Sequence, residues 1–262
     1  MSTMDATYNL PQAGALPAHA LVRDTLTAPG PWGFWGSLGW CLFAGAAGVV
    51  AVFLYTISWM ITHEFRTANP QDMAYAEVIG MLMLSAPIAV LVMAAKIRKI
   101  SLRSYFALEG FSRRNLALGL IGVIALIVMF DIIERLTGID GGSKHVEETY
   151  RAAKAAGVLP LLWLGVVVVA PVTEELFFRG FLHRGWAPSG LGVSGTIVVT
   201  AALWALLHQQ YNLFGIFIIF VMGLLLGWLR QRSGSVLLPM LLHTVNNFLA
   251  IVLVTVQVEW LS

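Results

Sequence analysis

The residues best able to do chemistry in this chain lie in Pro171–His183, P-V-T-E-E-L-F-F-R-G-F-L-H. There Glu174, Glu175 and Arg179 interrupt a hydrophobic run that begins at Val158. Ionisable groups at that depth cost roughly 3 kcal/mol or more each in hydrocarbon unless they are paired or face a polar cavity. On a helix, Glu175 and Arg179 are four residues apart with the acid N-terminal, the favourable orientation for an ion pair. Glu174 sits ~100° round the helix from its neighbour and does not share that arginine in the same geometry. The pattern is read as a structural Glu175–Arg179 pair that leaves Glu174 as the reactive group.

Further polar residues lie on two later apolar segments. Trp204 and His208 are four apart on one helix face, and so are His243 and Asn247 in L-L-H-T-V-N-N-F. Counted from one end of each segment, Glu174 lies ~15 Å deep, His243 ~12 Å and His208 ~22 Å at the helical rise. Helix tilt absorbs such a spread, so the three converge near mid-membrane around a water-accessible cavity. A carboxylate, two imidazoles and an amide form a hydrolytic set. Glu174 would be the general base, and His208 would hold and polarise the attacking water. His243 and Asn247 would donate to the oxyanion of a tetrahedral intermediate. No Gly-x-Ser-x-Gly elbow and no intramembrane Asp pair supports a serine or aspartyl route. His183 and Asn246 are read as packing residues, and Gly223 with Gly227 as small-x-x-x-small spacing for close helix contact.

Composition says what must position these groups. The 262-residue chain is 58% hydrophobic and 11% charged, against about 25% charged in soluble domains. The expected fold class is therefore all-α, a polytopic membrane bundle of about seven transmembrane helices with the catalytic core in the last four. The spans are read as 38–61, 75–95, 116–133, 158–182, 193–208, 213–229 and 236–256, near the ~20 residues a bilayer needs. Residues 1–35 form a polar tail with no cleavable signal peptide, 36–136 hold three spans, and 137–157 a polar connector, either surface helix or lid. The net charge of +2 implies no nucleic-acid partner, and the single Cys41 excludes an intramolecular disulfide or thiolate cluster. The basic 96–114 loop should be cytoplasmic, which makes the N-terminus cytoplasmic and the 209–212 turn and C-terminus external.

Taken together, E-E-L-F-F-R, W-A-L-L-H, F-V-M-G-L-L-L-G-W-L-R and L-L-H-T-V-N-N resemble, in order, the four motifs of the CAAX-protease and bacteriocin-processing (CPBP, or Abi) family of intramembrane proteases. The resemblance covers about residues 158–256, with Trp204 where the family's second motif usually has phenylalanine. It implies a membrane endopeptidase in which Glu174 and His208 activate water while His243 and Asn247 stabilise the oxyanion. Metal-free catalysis is favoured; the zinc alternative would use Glu174, His208 and His243 as ligands. The partners implied are the lipid bilayer and a peptide or membrane-protein substrate, in a bacterial-type cytoplasmic membrane. Two other readings stay open, a non-catalytic binding or immunity protein on the same scaffold and a small transporter. The transporter predicts repeat symmetry, and none is visible.

Overall fold

The computed structural model describes residues 31–62 and 85–261, with residues 75, 78–80, 82 and 83 between them. The regular structure of these residues is helical throughout. In chain order the helices are α1 (Gly33–Thr62), α2 (Pro87–Ile97), α3 (Leu102–Phe106), α4 (Arg113–Thr137), α5 (Ser143–Ala155), α6 (Leu159–Trp186), α7 (Gly192–Leu206), α8 (Leu213–Ser233) and α9 (Leu237–Leu261). Of these, α1, α4, α6, α8 and α9 are long and apolar enough to cross a membrane, and α2 and α7 are shorter apolar helices. The protein is thus a polytopic helical bundle. Most of the expected tail, residues 1–30, lies outside the described residues, and α1 begins slightly before the expected boundary.

One expected span is interrupted by a turn, and another ends two residues early. The second was read from Tyr75 to Ala95, part of which lies outside the described residues; the chain turns at Ser85–Ala86 and α2 opens on Pro87. Proline has no N–H to bond backwards and suits the first helical turn. The fifth, α7, stops at Leu206 because the His208 N–H bonds back to the Ala205 carbonyl at 3.0 Å, tightening the chain into a turn. Elsewhere local chemistry sets the ends. Ser112 and Asn212 cap α4 and α8 by accepting from the N–H groups of Asn115 and Gly215, and left-handed Gly138 and Gly234 end them.

Helix α6 is not a plain α-helix. Residues Gly165–Val169 and Leu176–Leu182 are π-helical and flank the α-helical Ala170–Glu175. In the π register the Ala170 N–H reaches back five residues to the Gly165 carbonyl. The next donor in that register would be residue 171, which is proline and has none. The Val166 carbonyl is thereby left for a side chain. The expected kink at Pro171 is realised as a change of helical pitch.

Close packing of α7 on α8 follows the glycine spacing. A Cβ at Gly223 would meet Ala201 Cβ at 2.9 Å and the Trp204 ring at 3.1 Å, and one at Gly227 would meet Ile197 Cγ2 at 2.9 Å. Gly119 of α4 lies equally close to Leu242 of α9. The core these contacts enclose includes Leu91, Phe181, Leu226, Leu229, Leu238 and Leu242, all fully buried.

Hydrogen bonds across the loops sort the molecule into two ends. At one, Arg184 donates to the Ser104 and Tyr105 carbonyls at 2.5 and 3.2 Å. There too the Val236 N–H donates to the Ala107 carbonyl at 3.0 Å and Arg232 to Asn115 at 3.2 Å. At the other, Asn212 donates to the Asp140 carbonyl at 2.6 Å, and Lys154 pairs with Glu259 at 2.6 Å. The polar connector is seen there as α5, whose buried Tyr150 packs with Val254 and Val258 of α9. Burial pushes the Asp140 carboxyl up, but the Ser143 hydroxyl and the N–H groups of Gly142, Lys144 and Ser143 outweigh it and hold it below its ordinary value. Asp131 and Arg135 pair at 2.7 Å on the last turns of α4, as their spacing predicts.

Candidate active site

Glu174 and Glu175 point to different partners. Glu175 is fully buried and its Oε1 takes both Arg179 Nη1 at 2.9 Å and His243 Nδ1 at 3.0 Å. Arg179 is in turn fixed by donating to the Gly223 carbonyl at 3.2 Å, and its own carbonyl accepts from buried Arg230 at 2.9 Å. The expected structural pair is present, and it also reaches the third motif helix through Gly223.

Glu174 remains outside that network, with its side chain 26% exposed. Its Oε2 accepts the indole N–H of Trp204 at 2.5 Å and lies 3.9 Å from His243 Nε2. Trp204 therefore does more than support. Its ring centre is 5.4 Å from that of His208 and 5.2 Å from that of His243, and the Arg179 guanidinium sits 4.6 Å over it. One indole, seated by the missing side chain of Gly223, gathers the acid and both imidazoles.

Hydrogen-bond inventories fix what each imidazole offers. His208 Nδ1 is 2.8 Å from the Trp204 carbonyl, which only accepts, so Nδ1 is the donor, and Nε2 presents a lone pair whenever the ring is neutral. That is the form able to hold a water by its hydrogen. His243 Nδ1 faces a carboxylate already paired with arginine, so it too donates, and its Nε2 faces Glu174. Neutral His243 thus offers a lone pair to the site, and only its imidazolium form offers an N–H. Asn247 donates to the Val166 carbonyl at 2.9 Å and accepts from Asn246 at 3.2 Å, leaving one amide N–H uncommitted. Its acceptor is the carbonyl that Pro171 leaves free.

Zinc needs three such ligands turned to one point. Among the described residues no group of three His, Cys, Asp or Glu side chains is placed to hold a metal ion. Glu174 Oε2 and His243 Nε2 lie 3.9 Å apart, and the bond from His243 Nδ1 to Glu175 leaves Nε2 as the nitrogen facing Glu174.

Sequence reasoning missed Tyr211. Its ring stacks on His208 with centres 6.2 Å apart and planes 26° apart, and His145 of α5 meets it edge-on at 5.4 Å. Gly142, at φ +127°, brings its backbone hard against the same ring. The available signal was an aromatic three residues after His208 facing a Gly-Gly pair. Burial pushes the Tyr211 phenol above its ordinary value, and the Glu174 charge adds to the shift. Arg230 was expected just past a sixth span closing at residue 229; α8 instead continues to Ser233 and buries Arg230 against the Arg179 carbonyl.

With this geometry described, comparison with known proteins becomes informative. Residues 156–249 match the family model described as type II CAAX prenyl endopeptidase Rce1-like. Residues 156–249 are thus similar to an Rce1-like domain. All of Glu174, Glu175, Arg179, Trp204, His208, His243 and Asn247 fall inside it. An Escherichia coli protein described as an uncharacterized 24.3 kDa protein is 37% identical over 89 residues, 32% of this chain and 39% of that one. The match thus spans about two fifths of that relative's length. No solved structure matches the chain. The matched region begins just before α6 and ends within α9, so helices α1–α5 precede it.

Proposed function

We propose that this protein is an intramembrane endopeptidase that hydrolyses a peptide bond of a membrane-associated protein or peptide with Glu174 as general base. One observation carries the reading. Of two adjacent acids, Glu175 is bound to an arginine and a histidine, whereas Glu174 is partly exposed and held only by an indole N–H beside His243. The family description supports the same class of reaction.

In this mechanism Glu174 takes a proton from water oriented by the lone pair of His208 Nε2, and the oxygen attacks the scissile carbonyl carbon. His243, protonated and held through Nδ1 by Glu175, donates Nε2–H to the oxyanion beside the free N–H of Asn247. Glu174 then passes its proton to the leaving nitrogen as the C–N bond breaks. No step requires a metal. Chelation should leave cleavage unchanged; loss on chelation with recovery on adding zinc back would replace this mechanism with a zinc-dependent one. The protein is integral to a membrane, and the proposed setting is a bacterial-type cytoplasmic membrane with the N-terminus inside.

The test is Glu174→Gln, read by comparing membrane peptidomes of wild-type, deletion and mutant cells. The expected mutant expresses normally and matches the deletion. If it restores the wild-type peptides, the protein acts as a binding or immunity protein and the hydrolytic reading is wrong.

A further inference from the structure

The second π segment of α6 ends where the buried ion pair is anchored. Its last five-residue bond runs from the His183 N–H to the Phe178 carbonyl, and from His183 the chain is α-helical again. A change from five-residue to four-residue return passes over one carbonyl, and here that carbonyl belongs to Arg179. It accepts instead from Arg230 Nε of α8 at 2.9 Å. The first π segment ends in the same way, with the Val166 carbonyl taken by Asn247 of α9 at 2.9 Å. Each irregular turn of α6 is thus closed by a side chain from another helix.

Arg179 is held from two points on α8. Its Nη2 donates to the Gly223 carbonyl at 3.2 Å, while Arg230, two turns further along the same face of α8, bonds its main chain. From Arg179 the contacts continue through Glu175 Oε1 to His243 Nδ1, at 2.9 and 3.0 Å. Arg230 is itself buried, and among the described residues no carboxylate pairs with it; its Nη1 has no partner. A buried guanidinium without an acid is costly, and packing alone is better served by an apolar side chain of the same length. What the guanidinium supplies is one charge-assisted bond, about twice as strong as a neutral one.

We infer that Arg230 is a positioning residue of the proposed active site. It pins the passed-over carbonyl at residue 179 and so fixes the direction of the Arg179 side chain, which holds Glu175 and, through it, the His243 ring. Its effect on cleavage rests on the proposed hydrolysis; its effect on the His243 ring does not. Without the Arg230 donor the passed-over position is free to move along Leu176–Leu182, and a move of one residue turns Arg179 by ~100°.

Two replacements of similar length separate the donor from the packing. Arg230→Gln keeps a nitrogen donor at the position of Nε without the charge, and Arg230→Met keeps the length with no donor. The intact chain is compared for melting temperature in detergent, for membrane peptides in deletion cells that carry it, and for the NMR signal of isotope-labelled His243 Nδ1, assigned by its loss in His243→Gln. Arg230→Met should melt at or above the wild-type temperature, since an unpaired buried charge is gone. It should nonetheless lose cleavage by about 10-fold or more and shift the His243 signal. Arg230→Gln should recover most of both. A lower melting temperature for Arg230→Met, retained cleavage, an unmoved His243 signal, or Arg230→Gln no better than Arg230→Met overturns the inference. The His243 signal needs no substrate. If Glu174→Gln keeps wild-type function while Arg230→Met still moves that signal, the hydrolytic reading alone has failed.

Discussion

Glu174 and Glu175 are chemically identical neighbours whose roles are divided by ~100° of helix rotation. Glu175→Gln leaves a buried arginine unpaired, which costs roughly 3–5 kcal/mol. It should lower the yield of folded protein in size-exclusion chromatography, and whatever survives should be slow, since His243 Nδ1 loses the carboxylate that holds its ring. Trp204→Phe is the more selective change. It keeps the ring against Arg179 and both histidines and removes only the N–H that holds Glu174. Yield and KM should be retained while kcat falls on the order of 10- to 100-fold, the cost of a misplaced catalytic group. Tyr211→Phe should preserve the stack on His208 and with it activity, whereas Tyr211→Ala should lower kcat. Much of this scale was legible in the sequence, because buried charges at helical spacing have few ways to be satisfied. The shared use of Glu175 by Arg179 and His243 was not, since a contact between residues 68 positions apart leaves no trace in local spacing.

At the scale of elements, Pro171 and Gly223 act through what they lack. Pro171→Ala supplies an N–H able to claim the Val166 carbonyl and so competes with Asn247. Thermal stability should be unchanged or higher while cleavage falls, a combination that a purely structural proline would not give. Gly223→Ala pushes a methyl against Ala201 and the Trp204 ring; overpacking of this kind costs about 1–3 kcal/mol and should reduce both the melting temperature and activity. The helices themselves were readable from hydropathy to within a turn at most ends, because caps such as Ser112 and Asn212 announce them. The two π segments were not readable, since composition alone does not separate four-residue from five-residue return bonds in a run of valines.

For the whole molecule, the connector decides how the end that holds Asp140 and Glu259 is assembled. Lys154 and Glu259 are roughly half and a third exposed, so solvent screens their pair and it contributes little. Glu259→Gln should shift the melting temperature little, and added salt should erase the shift. The apolar contact of Tyr150 with Val254 and Val258 holds α5 in place more firmly than the charges do. The polarity of the connector was visible in the sequence; that α5 presses His145 and Gly142 onto the ring beside His208 required the fold.

The π-helical turns carry a consequence for length. Each takes up one residue that ordinary α spacing would have no room for. Removing a single valine from Gly165–Val169 would leave span, hydropathy and every motif letter in place. With one residue fewer the segment takes ordinary α spacing: Ala170 still returns to Gly165, Pro171 still leaves the Val166 carbonyl to Asn247, and Glu174 keeps its direction. A residue lost inside the α-helical Ala170–Glu175 has no such slack and would turn Glu174 by ~100°.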